Sequence, residues 1–198
     1  MEKRQPVLER STARWDETQL QILDAAELLI TQRGVGGLTI AELARTSGFS
    51  RPTVYRSWQG ADDVVRAALL RRVLDLLSGF TPATTREELV ADVLEFARRF
   101  RADAMYTALL EREPEVFTRY TLQRFGSSQL AILDWLAESI TRAQEQGSVR
   151  SGDPAEIATM LLLITQSAIL SHGTVSVLLD AAAWRRELRF ALDGHLRP

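Results

Sequence analysis

The side chains best suited to chemistry lie within residues 39–58, and their chemistry is recognition of phosphates and base edges rather than bond breaking. Arg45, Arg51 and Arg56 stand there against Glu42 alone, a local charge of +2 in a chain whose formal net charge is −2. An arginine can pair in bidentate fashion with guanine in the major groove. Ser50, Arg51 and Thr53 fall in the first turn of a short predicted helix, the end that a recognition helix inserts, and Tyr55 and Arg56 follow one turn later. Thr39 opens the preceding helix, where a hydroxyl and backbone donors can hold a phosphate. Tyr55 has two compatible roles, a ring that packs and a hydroxyl that stays free.

Other residue sets argue against catalysis. With no cysteine there is no disulfide, thiolate ligand or thiol nucleophile. His172 and His195 have no acid cluster near them in sequence, so a surface or capping role is expected and a metal site is not. Glu111, Glu113 and Glu115 straddle Pro114 and read as a solvated turn. Neither a glycine-rich phosphate loop nor a Ser-His-Asp set is evident. The expectation is a non-enzyme without cofactor or metal. A second set, Phe96, Phe100, Met105, Tyr106, Leu109, Phe117, Tyr120, Phe125 and Trp135, is either ordinary core or the lining of a pocket for a small apolar effector. Gln166 sits in an oily segment, where a buried amide needs a partner. It either orients that effector or bonds across a dimer interface.

The elements that must position these residues are helices throughout, with apolar spacings of three and four and no sustained alternation. Asp16 with Gln19, Thr39 with Glu42, and Thr85 with Glu88 read as capping boxes. Gly34 is the predicted left-handed stop of the first helix, and Ser50 caps a third that tolerates Pro52 in its first turn. Residues 117–146 read as one long helix kinked at Gly126, and Asp153, Pro154 and Glu156 open another. The predicted helices at 154–171 and 180–196 carry enough apolar surface to pair with their symmetry mates in a homodimer.

Forty-five per cent apolar and 25% charged residues over 198 positions suit a folded all-α protein with a sizeable core. Bulk charge is too small and of the wrong sign for non-specific coating of nucleic acid. The first fifteen residues lack the apolar core of a signal peptide, and the oily stretch near 157–170 reads as too short and too interrupted to span a bilayer. No membrane partner and a cytoplasmic location are therefore expected.

The stretches ILDAAELLITQRG and LTIAELARTSGFSRPTVYRSW, followed by an acidic DDV, resemble the N-terminal signature of the TetR family of bacterial transcriptional regulators across residues 22–64. The resemblance implies an N-terminal three-helix helix-turn-helix DNA-binding domain, residues 1–64, and a C-terminal helical ligand-binding and dimerisation domain, residues 65–198. It further implies a homodimer on a palindromic double-stranded operator, released by a small effector. Carried onto this sequence, Thr39 and Tyr55 become phosphate contacts, and Arg45, Arg51, Thr53 and Arg56 become base or backbone contacts. Two positions depart from the family pattern: Ser57 stands where a His or Tyr is common, and Ala61 where a phosphate-binding Lys is common. Those two contacts are not carried over. An activator would carry the same residues as a repressor. A helical enzyme or carrier that keeps the fold is disfavoured by the arginines of the third helix.

Overall fold

The computed structural model describes residues 15–122 and 125–198, without the side chains of 120–122. The described residues form ten helices and no strand. They divide into two compact units, one within residues 15–75 and 102–131 and one of residues 76–101 with 132–198. The sequence boundary near residue 64 follows a motif, whereas these units follow packing.

The first unit holds α1 (Glu17–Arg33), α2 (Ile40–Ser47), α3 (Arg51–Ser57), α4 (Ala61–Leu77) as far as Asp75, α6 (Ala104–Arg112) and α7 (Pro114–Leu122). Its core is built on α1, whose Ile22, Leu23, Ala26 and Ile30 have no exposed surface. Leu43 of α2, Val54 of α3, Val64 and Ala68 of α4 and Leu109 of α6 are buried as completely or nearly so. Burying side chains of this size stabilises by roughly 1.5–3 kcal/mol each against exposure.

Local signals fix the helix starts. At α1 the Asp16 side chain accepts the Gln19 N–H at 2.8 Å and the Gln19 side chain accepts the Asp16 N–H at 3.0 Å, a complete capping box. At α2 only half of the expected box forms. Thr39 Oγ1 accepts the Glu42 N–H at 3.2 Å, but the Glu42 carboxylate turns to Arg33 of α1 at 3.1 Å. An exposed ion pair and a reciprocal cap bond each contribute at most about 1 kcal/mol, so either can prevail. Gly34 has φ of +81° but an extended ψ, so it ends α1 outside the left-handed helical region. Gly48 at the end of α2 does adopt that region.

Ion pairs join the helices of this unit. The Arg71 guanidinium reaches Asp24 at 2.8 Å and Glu27 at 2.7 Å, both on α1. Burial works to lower its pKa, and the bonds and charges of Glu27 and Asp24 more than compensate. Asp103 caps α6 by accepting the N–H groups of Met105 and Tyr106 at 3.1 Å, and its buried carboxylate also pairs with Arg72 of α4. The Tyr106 hydroxyl donates to the Leu69 carbonyl at 3.0 Å, and burial raises its pKa strongly.

The second unit holds α5 (Arg86–Ala102) as far as Arg101, α8 (Ser127–Glu145) from residue 132, α9 (Pro154–Val175) and α10 (Ala181–Leu196). Ile140, Ala143, Ile157, Leu161, Leu192 and Leu196 are among its core residues. The start of α5 has the box expected of Thr85 and Glu88, with reciprocal bonds at 3.2 Å. Asp153 caps α9 through the Ala155 N–H at 2.8 Å, ahead of Pro154 at the first position.

Two expectations need correction. Residues 117–146 are not one helix: α7 ends at Leu122, and α8 begins after Gly126. The Gly126 N–H donates to the Gln129 side chain at 3.0 Å and its carbonyl accepts the Leu130 N–H at 3.0 Å, so Gly126 is a fresh start rather than a kink. Glycine costs about 1 kcal/mol inside a helix, which favours a break at that point. The oily stretch is also not too short for a bilayer, because the 22 residues of α9 suffice by length and composition alone. Its apolar residues include a buried set, Ile157, Leu161, Leu162 and Ile169, and an exposed pair, Met160 and Leu163.

Candidate nucleic-acid interface

The third helix is seven residues long and begins at the Ser50 cap, whose Oγ accepts the Thr53 N–H at 3.3 Å. The Ser50 and Thr53 hydroxyls also bond to each other at 2.8 Å, which closes the first turn with a second local bond. Val54 is fully buried and Trp58 nearly so, one helical turn apart, and they anchor one side of α3 to the core. Arg51, Tyr55 and Arg56 are left exposed. No carboxylate pairs with Arg51 or Arg56 among the described residues. Unpaired guanidinium groups on a capped, core-anchored helix can accept a phosphate or a guanine edge without first breaking an internal bond.

Tyr55 is 56% exposed, so of its two compatible roles the free hydroxyl is realised more fully than the packed ring. Thr39 is exposed at the start of α2. Its oxygen accepts the Glu42 N–H, which leaves the hydroxyl proton to donate outward. Arg45 is also exposed and lies 3.9 Å from Glu42, a weak pairing that a phosphate can replace. Ser57 accepts the Gln19 Nε2–H at 3.2 Å and so ties the end of α3 to α1. At the start of α4, where Ala61 stands, the Asp63 carboxylate accepts the Gln59 N–H at 3.1 Å and pairs with Arg66, which holds its pKa down.

The residues expected to line an effector pocket fall into separate groups. Met105, Tyr106, Leu109 and Phe117 belong to the first unit and are all buried, with Tyr106 and Phe117 edge to face at 6.0 Å. Phe96, Phe100 and Trp135 belong to the second unit, where Phe96 lies 6.1 Å from Phe100 and 5.9 Å from Trp135. Phe80, which the sequence pattern did not single out, joins them at 5.3 Å from Trp135. Phe125 is half exposed, and the side chain of Tyr120 lies outside the described residues. Gln166 is half-buried on α9. Its neighbour Thr165 is buried more deeply, and the Thr165 Oγ1 and Trp135 Nε1 atoms find no hydrogen-bond partner among the described residues. A cavity of about 470 Å³ adjoins the end of α3, lined by Trp15, Ser57, Trp58, Gln59, Asp63, Arg66, Ala67, Leu70 and Ser127, and none of the expected pocket residues lines it.

The acidic turn around Pro114 also differs from expectation. Glu111 and Glu115 are exposed, but the Glu113 carboxylate accepts backbone N–H groups of Val35 and Gly36, in the loop between α1 and α2. Local sequence carries no signal for a contact across nearly eighty positions.

Comparison with known proteins agrees with this geometry. Residues 22–68 match the family described as bacterial regulatory proteins, tetR family. An uncharacterized HTH-type transcriptional regulator of Mycobacterium tuberculosis is 39% identical over 181 residues, which cover 91% of this chain and 95% of that protein. Among solved structures, SmeT, the repressor of the Stenotrophomonas maltophilia multidrug efflux pump SmeDEF, superposes with a TM-score of 0.59 at 23% identity over 93% of this chain and 89% of its own. SmeT in complex with triclosan superposes with a TM-score of 0.57, also at 23% identity, over 91% of this chain and 90% of its own. The chain belongs to the TetR family, and it is a DNA-binding transcriptional regulator rather than an enzyme.

Proposed function

We propose that this regulator is a homodimeric repressor that grips a palindromic operator through α2 and α3 and releases it when a small apolar effector binds. The observation that carries the reading is the exposed, unpaired Arg51 and Arg56 on a helix anchored by Val54 and Trp58. In this reading Arg51 and Arg56 read base edges or phosphates, Thr39 and Tyr55 hold phosphates, and Arg45, Ser50 and Thr53 flank them. Residues 1–64 serve the DNA and residues 65–198 serve effector and partner. Met160, Leu163 and Phe190, exposed on α9 and α10, support pairing of two copies. The buried, unpartnered Trp135 Nε1 and Thr165 Oγ1 support an effector that brings an acceptor atom into a mostly apolar site. The complex of SmeT with triclosan is a precedent within the fold. A protein that answers a small molecule by leaving genomic DNA works in the cytoplasm.

Retention of fragmented host DNA by the purified protein, followed by sequencing, tests the operator. The expected result is an inverted repeat whose half-sites lie about 34–36 Å apart, one turn of B-DNA. Retention without symmetry would overturn the palindromic reading. A reporter driven by the recovered promoter should fall when the regulator is expressed; a rise would make it an activator. An apolar compound library should contain members that raise the melting temperature and weaken DNA retention over the same concentration range.

A further inference from the structure

The last residue of the sixth helix, Arg112, and its cap, Glu113, hold the end of α1 and the loop that leads into α2. Arg112 donates from Nη1 to the carbonyls of Thr31 and Gln32 at 3.1 and 2.6 Å, in the last turn of α1. Glu113, next in the chain, accepts the N–H groups of Val35 and Gly36, the latter at 2.9 Å. The cation thus meets the negative end of the α1 dipole, and the anion meets the amides just beyond it. A Cβ at Gly36 would stand 2.8 Å from Glu113 Oε1, and Gly36 does not have a left-handed φ. Close approach of the carboxylate is therefore what that glycine permits. Thr39, the cap of α2, follows three positions later, too short a tether for α2 to shift without the loop.

We propose that Glu113 is a positioning residue for DNA binding: with Arg112, which holds the end of α1, it clasps the α1–α2 loop and so fixes where α2 and Thr39 meet the duplex. The inference rests on the reading that α2 and α3 face DNA.

The test uses the full chain and the duplex recovered from host DNA by the wild-type protein. Glu113→Ala should weaken that duplex by about tenfold or more, as expected for loss of a charge-assisted bond, and Glu113→Gln, which retains one acceptor, should fall between. Both should keep helicity and a cooperative melt. In amide exchange without DNA, Val35 and Gly36 should lose protection in Glu113→Ala while Val54 keeps it. Gly36→Ala should weaken binding in the wild-type background and cost nothing further beside Glu113→Ala, because the clash has gone. If Gly36→Ala costs the same factor in both backgrounds, or Glu113→Ala binds like wild type, the proposal is overturned. If Glu113→Ala loses its cooperative melt, Glu113→Gln is used in its place, and wild-type affinity in a folded Glu113→Gln overturns the proposal. Failure of the wild type to retain any duplex would instead sink the DNA-facing reading, and the exchange measurement would still report whether the clasp forms.

Discussion

Arg51 and Tyr55 lie one turn apart on α3, yet their chemistry separates their effects. A guanidinium paired with a guanine edge discriminates between bases, and a phenol on a phosphate does not. Arg51→Ala should cost about 1–3 kcal/mol at the recovered operator and relax the preference at one position per half-site. Tyr55→Phe should weaken all sequences alike, and competition binding against single-base operator variants separates the two. Equal affinity of both variants with wild type would remove α3 as the reader. The histidines are testable in the same way. Burial, with the Arg101 charge, holds His172 below its ordinary value of 6.5, and burial with Arg150 does the same to His195. The unfolded chain therefore takes up these protons first, so their stability is fully present above pH 6.5 and is lost as pH falls toward the folded values. The melting temperature should drop between about pH 7 and pH 5, and His172→Gln should flatten part of that drop. His172 packs edge-on against Trp184 at 5.1 Å, so the variant also lowers the baseline. A profile unchanged in slope would discard the assignment. Glu95 acts in a separate window, because Arg98 and Arg99 hold it at about 2, so its contribution is lost only below its ordinary 4.5.

At the scale of elements, α6 is held at both ends by carboxylates: Asp103 caps its start and pairs with Arg72, and Glu113 at its end meets the α1–α2 loop. Removing Asp103 uncaps α6 and leaves Arg72 without its buried partner. Asp103→Ala should destabilise by about 2–4 kcal/mol, less than a fully buried pair because Arg72 is partly exposed. Asp103→Asn, which can still cap, should cost less in chemical denaturation, and equal costs would mean that the charge rather than the cap matters. The contrast between the ends of α6 shows what sequence can carry. Caps at Asp16, Ser50, Thr85 and Asp153 are legible because donor and acceptor lie within three residues of each other. The exposed face of α3 is legible for the same reason, since Val54 and Trp58 mark its inner side. Glu113 was not legible, because its partners are loop amides reached only through the packing of α6 on α1. The aromatic set was legible as apolar but not as divided, because its two clusters separate by tertiary contact and not by spacing.

At the scale of the whole molecule, α9 and α10 present large apolar side chains to solvent. Phe190 is 73% exposed, and Met160 and Leu163 are 46% and 41% exposed. A two-fold pairing of these helices would bury each side chain against its symmetry mate and would match a two-fold operator. Light scattering at micromolar concentration should therefore report twice the 22.2 kDa of one chain. Phe190→Asp combined with Leu163→Arg should give a monomer that keeps its helicity, because neither side chain contributes much to the core of one copy. That monomer should melt at a lower temperature, by loss of mass-action stabilisation. It should also bind an isolated half-site as the wild type does while losing at least about a hundredfold on the full operator, where the second half-site had been reached at high effective concentration. A monomeric wild type would remove the symmetric operator along with the dimer. A dimeric double variant would place the interface elsewhere and leave the exposed residues of α9 and α10 to another partner.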